Sequence, residues 1–257
     1  MARPKAIIPV AQQGYIKWML YGEPGVGKSK LIGSGKRTLI LANNPDETVS
    51  MRDSDAVMWV TNDMMEATEA YEYLRHEGHK EFDWVWLDNG TLFQEQNMDR
   101  IMADLVAAKP HRDQFVPDMA QYLQNQNQMG LLIRNMVALP MNVGMTGHVM
   151  YYQDDEAEET IMMPLFQGGQ GAFSQKVCGY MNLVTYMGTR RRKEGTDRYL
   201  VTEKAQKIYA KDRFGVLPRR IMNPTVPEIQ ALIEGGGEST VKRRPAAKKA
   251  TPRKKVT

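Results

Sequence analysis

Short apolar runs alternate along this chain with longer segments in which apolar positions recur at helical spacing. The runs predict strands at Tyr15–Tyr21, Thr38–Ala42, Val57–Thr61, Trp84–Leu87 and Val143–Val149. The run at Trp84–Leu87 is continuously apolar, as is typical of a strand buried on both faces of a parallel sheet. The alternation predicts an α/β fold, with a mostly parallel twisted sheet flanked by helices.

The segments between the runs predict the helices and the later strands. Helices are expected at Lys28–Ile32, Asp63–His76, Gly90–Ala107, Met119–Met136 and Pro227–Ile233. A late pair of strands, Leu183–Met187 and Tyr199–Thr202, is predicted around a basic turn at Arg190–Lys193. Residues 153–160 are rich in acids and are expected to form a loop.

The chain divides into a lead-in at 1–14, a core at 15–234 and a tail at 235–257. The net charge of the 257 residues is +4, yet residues 242–257 contain eight Lys or Arg and no acid. Such a segment cannot build a core, and we expect a flexible, solvated tail. It suits non-specific contact with nucleic acid phosphates, although a simple solubility tail is the alternative.

One cysteine and the absence of long apolar runs bear on the compartment. Cys178 is the single cysteine, so no internal disulfide can form, and its apolar surroundings favour a core position. No signal-peptide pattern opens the sequence, and no apolar run is long enough to cross a bilayer. We therefore expect a cytoplasmic protein with no membrane partner.

A glycine-rich segment follows the first predicted strand and carries the strongest chemical signal. Residues 22–29 are Gly-Glu-Pro-Gly-Val-Gly-Lys-Ser, which is G-x-x-x-x-G-K-S in full. In a P-loop the glycines let backbone N–H groups converge on phosphates, the lysine reaches the β and γ oxygens and the serine holds Mg²⁺. ATP with Mg²⁺ is the expected cofactor, bound by Gly22, Glu23, Pro24, Gly25, Val26, Gly27, Lys28, Ser29 and Lys30.

The apolar run that ends at Asp88 predicts the second half of this site. A carboxylate at the carboxyl end of a buried strand is placed to orient Mg²⁺, because ligands bind at that edge of an open α/β sheet. Asp88 is therefore expected to share the metal with Ser29. Asp83 is the competing carboxylate, but it enters the strand and should lie at the opposite edge.

Three further residues are candidates for the hydrolytic step. His148 follows the strand at Val143–Gly147 and, with Thr146, would point toward the phosphates if that strand lies beside the P-loop strand. A surface histidine is the alternative. Glu47, with Asp46 as its rival, follows the second strand and is the candidate general base. The alternative is that both carboxylates are simply solvated.

Five features together resemble the RecA-core ATPases of bacteriophages, in particular the RecA-like single-strand annealing proteins of the fourth Sak type. The resemblance runs from about Tyr15 to Leu232 and implies a RecA-like ATPase core at 15–234. It is carried by the short P-loop helix that runs directly into the next strand, Gly22–Ala42, by Trp84–Asn89, by Gly147-His148, by Pro164-Leu165-Phe166-Gln167-Gly168 and by Ala210-Lys211-Asp212-Arg213-Phe214-Gly215.

The last of these features implies a site shared between subunits. In such proteins the Lys-x-Arg pair reaches the γ-phosphate bound to the neighbouring subunit, so Lys211 and Arg213 are expected to act in trans within a ring or filament. A solvated charged turn is the alternative. One departure concerns Asn43-Asn44, which stand where relatives usually carry an acid. Either Asp46 or Glu47 replaces that acid, or hydrolysis is slow and ATP acts mainly as an assembly switch.

The resemblance also implies two loops that contact single-stranded DNA. The first spans 109–114 and includes Arg112. The second spans 166–176, in which glycines allow close approach, Phe173 could stack on a base and Lys176 could contact phosphates. A flexible linker is the alternative for the second loop. The expected nucleic-acid contacts are Arg112, Gly169, Gln170, Phe173 and Lys176.

The sequence therefore predicts an ATP-binding RecA-like protein that binds single-stranded DNA and promotes annealing or strand exchange in phage recombination. Its partners would be single-stranded DNA, further copies of itself and, in addition, a single-strand DNA-binding protein. The alternatives are a replicative helicase or helicase loader, a P-loop small-molecule kinase with Arg190–Lys193 as its lid, and a binding module that does not hydrolyse ATP.

Overall fold

The computed structural model describes residues 14–44, 49–154, 159–205 and 207–235. Their strands are β1 Lys17–Tyr21, β2 Thr38–Ala42, β3 Val57–Val60, β4 Trp84–Asp88, β5 Asn142–Gly147, β6 Val149–Asp154, β7 Glu159–Pro164, β8 Leu183–Arg192, β9 Gly195–Val201, β10 Lys211–Asp212 and β11 Arg220–Met222. Their helices are α1 Lys28–Ile32, α2 Met64–Tyr73, α3 His79–Glu81, α4 Gly90–Ala108, α5 Met119–Val137, α6 Ala172–Tyr180 and α7 Val226–Glu234.

Nine of these strands form one sheet in the order β11-β9-β8-β1-β5-β4-β2-β3, with β10 paired to β8. The six strands from β8 to β3 are parallel, whereas β9, β10 and β11 pair in antiparallel fashion. The predicted α/β class with a mostly parallel sheet is therefore confirmed. Because β5 lies between β1 and β4, the carboxyl ends of these three strands meet at one edge of the sheet.

Helices cover both faces of the sheet, and the alternation of side chains along β1 shows why. Met19 and Tyr21 belong to the core cluster that α2, α4, α5 and α6 complete. Trp18 and Leu20 belong to the opposite cluster, which α1 and α7 complete. Since all five residues of β1 are buried, the P-loop that follows this strand starts from a fixed position. Cys178 is fully buried in the first cluster, so the expected core position is confirmed.

The structure differs from the sequence-based expectation at several elements. The first strand begins at Lys17 rather than Tyr15. The helix expected to continue to His76 ends at Tyr73 and passes through a wider π-helical turn, Leu74–Gly78. The long helix extends one residue further, to Val137.

The acidic segment at 153–160 is only partly a loop. Its ends lie in a two-stranded antiparallel hairpin formed by β6 and β7, which pairs Val149 with Pro164 and Asp154 with Glu159. Polar residues form the outer part of this hairpin, where Glu159 and Thr160 are exposed, because that part faces solvent rather than the core. Residues 155–158 lie outside the described part of the chain.

The late hairpin is longer than predicted. β8 continues through three arginines to Arg192, and β9 begins at Gly195, so the turn is confined to residues 193–194 and keeps only Lys193 of the predicted turn. The outer part of the hairpin extends past the carboxyl edge of the sheet, where no core requires apolar residues. Because this part of β8 is basic and has no apolar run, the sequence pattern did not predict it as a strand. Among the residues that the structure describes, no helix is long and apolar enough to cross a bilayer.

Candidate nucleotide-binding site

The glycine-rich loop connects the carboxyl end of β1 to α1. Gly25 and Gly27 adopt φ angles of 76° and 100°, in the left-handed region that glycine enters without steric cost. The loop lies against β5, since the Gly22 N–H donates to the Gly147 carbonyl at 3.3 Å. Two glycines of the sequence pattern thus coincide with left-handed positions of the loop backbone, the feature that in a P-loop lets N–H groups converge on phosphates.

Lys28 is buried, and its ammonium group lies over the loop. Nζ donates to the carbonyl oxygens of Gly22 at 2.8 Å and Glu23 at 3.1 Å. Burial lowers the pKa of Lys28, while the nearby charges of Asp88 and Glu23 oppose that shift. A bound anion would favour the charged form in the same way, so this lysine is suited to phosphate.

Asp88 ends β4 and is 4% exposed. One carboxylate oxygen, Oδ1, accepts a short hydrogen bond from the Thr146 hydroxyl on β5, and the Ser29 hydroxyl lies near enough to favour the charged carboxylate. Burial raises the pKa of Asp88, whereas these hydroxyls and the charges of Lys28 and His148 oppose the rise. The other oxygen, Oδ2, is buried without a partner in the described residues.

This donor set fits Mg²⁺. A hard cation prefers carboxylate and hydroxyl oxygens, and the free Asp88 oxygen beside the Ser29 hydroxyl supplies both. Asp83, the competing carboxylate, lies before the amino end of β4 and forms an ion pair with Arg37 at 3.7 Å. It therefore lies at the opposite edge of the sheet from the P-loop, as the sequence predicted.

His148 lies directly after β5, at the same edge as Asp88. Its backbone N–H donates to Thr91 Oγ1 at 3.1 Å, and its Nε2 lies 3.5 Å from the Asn89 amide nitrogen. Its Nδ1 is buried without a partner among the residues described. Burial and the charge of Lys28 lower the pKa of His148, which favours the neutral imidazole near pH 7.

The candidate general bases cannot be placed, because Asp46 and Glu47 lie outside the described residues. The structure does place Asn43, which is 6% exposed at the end of β2. Its amide nitrogen donates to Gln96 on α4 at 2.7 Å. This asparagine therefore connects the second strand to the helix that follows Asp88.

Lys211 and Arg213 lie away from the phosphate loop of their own chain. β10 pairs with the first residues of β8, opposite Leu183 and Val184, whereas the P-loop follows the carboxyl end of β1. Lys211 Nζ donates to the Cys178 carbonyl, and Arg213, which is exposed, lies 3.4 Å from the Gly179 carbonyl. No phosphate bound at their own chain's P-loop is within their reach.

The residues predicted to contact DNA differ in how accessible their side chains are. Lys176 is exposed on α6, and Gly169 is exposed in the short 3₁₀ turn Gly169–Gly171. Gln170 also belongs to that turn, but its side chain is not among those that the structure describes. Arg112 is partly buried, and its guanidinium donates to Asp118 at 2.7 Å. A phosphate would have to compete with this carboxylate for Arg112.

Phe173 requires a correction. We expected its ring to stack on a base, but the side chain is 3% exposed and packs edge-on against Phe166, with ring centroids 6.0 Å apart. The apolar face of α6 turns this ring into the core beside Val177. A base therefore cannot stack on Phe173 in this conformation.

Two residues near the P-loop were missed at the sequence level. Arg198 on β9 donates from Nε to the Val26 carbonyl at 3.1 Å, and the Tyr151 hydroxyl on β6 donates to Glu23 at 3.1 Å. Both residues come from hairpins that lie more than a hundred positions further along the chain. No local motif marks them, so only the fold brings them to the loop.

A family model matches most of the chain. Residues 15–214 match the model of the family AAA_24, described as an AAA domain. No curated protein matches the chain. Similar solved structures include the RadB recombinase, with a TM-score of 0.43 and 14% identity over 80% of this chain and 84% of that chain.

Two further structures have comparable similarity. The flagellar accessory protein FlaH from Methanocaldococcus jannaschii has a TM-score of 0.40 and 8% identity, over 80% of this chain and 84% of that chain. The KaiC-like protein PH0186 from Pyrococcus horikoshii OT3 has a TM-score of 0.41 and 8% identity, over 81% of this chain and 90% of that chain.

Proposed function

Since the chain belongs to the AAA_24 family of AAA domains, we propose that this P-loop ATPase is a RecA-like protein of phage DNA recombination. It binds single-stranded DNA and promotes annealing or strand exchange. ATP with Mg²⁺ lies between subunits of a ring or filament, and a single-strand DNA-binding protein presents the substrate strands.

One observation carries the proposal: a hydrogen-bonded path joins the nucleotide site to the glycine-rich segment 165–171. α4 begins two residues after Asp88, and its Thr91 hydroxyl accepts from the His148 N–H and donates to the Leu165 carbonyl at 2.8 Å. One turn later, the Gln94 amide donates to the Gln167 carbonyl at 2.9 Å and accepts from the Gln167 N–H at 2.7 Å.

This path favours a protein whose DNA contact depends on its nucleotide. Any displacement of His148 on the γ-phosphate would be transmitted through Thr91 to the segment that begins at Leu165. The glycines at 168, 169 and 171 all have positive φ angles, so the segment takes a conformation that few other sequences permit. Such coupling has no purpose in a static binding module.

At the nucleotide, each residue has a separate task. Lys28 pairs with the β and γ oxygens, Ser29 and Asp88 hold Mg²⁺, and neutral His148 donates or accepts a hydrogen bond at the γ-phosphate. Mg²⁺, when bound, neutralises charge on the phosphate oxygens. Glu47 stays the proposed general base. Lys211 and Arg213 act on the nucleotide of the neighbouring subunit.

Exposed cations supply the proposed DNA surface. Lys176 follows the glycine-rich segment, and Arg190 and Arg191 are exposed on the outer part of β8. Within the described part of the chain, neither of these two arginines has a carboxylate partner within ion-pair distance, whereas Arg192 pairs with Asp197. Free cations of this kind bind phosphates with little sequence preference, as an annealing protein requires.

The first experiment measures ATP hydrolysis with and without single-stranded DNA. We expect DNA to stimulate turnover, and Lys28→Ala to lower stimulated turnover by on the order of a hundredfold, because the phosphate charge loses its main cation. Lys36→Ala is the matched control. This lysine is exposed just after α1 and should leave turnover unchanged.

A second assay separates the possible reactions. Two complementary dye-labelled strands report annealing, and a forked duplex reports unwinding. Annealing that requires ATP and Lys28 supports the proposal. Unwinding without annealing would identify a helicase instead. Turnover that ignores DNA, together with phosphate transfer to a nucleoside or metabolite, would identify a kinase.

A further inference from the structure

Arg198 on β9 packs against the phosphate loop from outside. Its Nε donates to the Val26 carbonyl at 3.1 Å. A Cβ atom added to Gly27 would overlap that nitrogen and would lie 2.9 Å from the arginine Cδ. Glycine at this position therefore serves two purposes, since it adopts the φ of 100° and leaves the space that Arg198 fills.

The backbone of Arg198 is held in place on its other side. Its N–H donates to Asn223 Oδ1 at 3.0 Å, and the Asn223 N–H donates back to the Arg198 carbonyl at 2.7 Å. Asn223 follows β11 with a φ of 45°, a conformation that asparagine tolerates better than most residues. The arginine is thus fixed at its main chain before its side chain reaches the loop.

The bond to Val26 acts on the peptide unit that binds phosphate. The Val26 carbonyl and the Gly27 N–H are the two ends of one planar peptide group. A charged donor on the carbonyl fixes the orientation of that plane and polarises the N–H at its other end. In a P-loop, that N–H is one of the donors that cradle the phosphates.

We propose that Arg198 is a positioning residue of the nucleotide site, which holds the Val26–Gly27 peptide so that the Gly27 N–H points at the β-phosphate. It acts within its own chain and through the loop, without touching the nucleotide. This inference rests on the proposed nucleotide site but not on the role in DNA recombination.

The test compares the affinities of ATP and ADP, measured by displacement of a fluorescent nucleotide in the presence of Mg²⁺. Arg198→Met keeps most of the side-chain stem and removes the donor, and Arg198→Lys keeps the charge without a donor at Nε. Both variants should lose about tenfold in affinity, equally for ATP and ADP, because both nucleotides carry a β-phosphate. Turnover at saturating ATP should change little.

Arg37→Met is the matched control, because Arg37 also donates from Nε to a backbone carbonyl, that of Glu81 at 2.7 Å, but at the opposite edge of the sheet. It should bind both nucleotides within twofold of the wild type. Asn223→Gly is a milder second variant that keeps the positive φ and removes the acceptor for the Arg198 N–H. It should lose affinity in the same direction.

Three results would overturn the inference. Affinities of the Arg198 variants within twofold of the wild type would reduce the residue to a packing role. A loss confined to ATP would place the guanidinium on the γ-phosphate itself. Failure of the wild type to bind either nucleotide would show that the proposed nucleotide site does not exist. If DNA merely failed to stimulate turnover, the inference about Arg198 would stand.

Discussion

Lys17 is a buried lysine on the strand that leads into the P-loop. Its ammonium group donates to the carbonyl oxygens of Leu139 and Met141, each at 2.7 Å. Burial lowers its pKa from 10.5 to about 8. The folded protein therefore releases this proton about two and a half pH units before the unfolded chain does, and this difference links stability to pH.

The sign of the linkage follows from the proton count. Between pH 8 and pH 10 the unfolded chain holds more protons at Lys17 than the folded protein, so the free energy of unfolding rises with pH. We expect a gain of about 1–2 kcal/mol between pH 8 and pH 9.5 from this residue. Tyr21, whose pKa is raised by burial, acts in the opposite direction only above its ordinary range near pH 10.

Urea unfolding of the wild type and Lys17→Met at pH 7.5, 8.5 and 9.5 measures this effect. The difference in unfolding free energy between the two proteins should shift with pH in favour of the wild type. Other titrating groups are common to both proteins and cancel. Parallel pH profiles would mean that Lys17 keeps its proton in the folded state through its two carbonyl acceptors.

At the scale of elements, α4 is the helix that joins the two halves of the proposed mechanism. Gln94 is 1% exposed, and its side-chain amide forms two hydrogen bonds with the backbone of Gln167. Next along the helix, Asn97 donates to Asn125 on α5 at 2.8 Å. Buried amides of this kind fix the position of a helix against the neighbouring loop and helix, since a shift would leave each of them unpaired.

Gln94→Met should loosen the segment 165–171 without disturbing the nucleotide site. The substitution has nearly the same volume but removes a donor and an acceptor, which leaves the N–H and the carbonyl of Gln167 without partners. We expect faster hydrogen exchange at 165–171 and weaker DNA stimulation, with ATP affinity within twofold of the wild type. Gln124→Met, at an exposed position of α5, is the control.

Hydrogen exchange at 165–171 and DNA stimulation of turnover together decide whether α4 couples the nucleotide site to the glycine-rich segment. Faster exchange with undiminished DNA stimulation would show that the order of this segment does not matter for the response to DNA. Exchange equal to that of the wild type would show that the glycine-rich segment is held by other contacts.

The elements also show where sequence reasoning succeeds. The P-loop and the strand ending at Asp88 could be predicted, because each is a contiguous run whose chemistry and conformation depend on neighbours in sequence. The outer parts of the β6–β7 hairpin and of β8 could not, because these exposed ends are polar and lack the apolar runs that mark buried strands. The contact of Arg198 with the P-loop could not be predicted either, because its partner Val26 lies 172 positions away in the sequence.

At the scale of the whole molecule, the proposed role of Lys211 and Arg213 in hydrolysis requires assembly. These residues lie beside the amino end of β8, whereas the phosphate loop of their own chain lies at the carboxyl end of the neighbouring strand β1. A guanidinium there can assist hydrolysis only at a neighbour's nucleotide. If copies assemble head to tail, each active site takes its P-loop from one subunit and its Lys-Arg pair from the next.

Mixing inactive variants tests this arrangement. Lys28→Ala lacks a working P-loop and Arg213→Ala lacks the trans arginine, so each should be inactive alone. In a random equal mixture, about one quarter of the interfaces combine the intact P-loop of one variant with the intact arginine of the other. The mixture should therefore regain up to about a quarter of wild-type turnover.

The control mixture places both defects on the same side of the interface. Lys28→Ala and Asp88→Asn each damage the half of the site that carries the P-loop, so no interface between them is complete and no turnover should return. Equal behaviour of the two mixtures would place Arg213 outside the active site, in a charged turn that only supports the β8 edge through its contact with the Gly179 carbonyl. Recovery in the first mixture alone requires that ATP lies between two copies of the chain, because neither variant carries a complete site by itself.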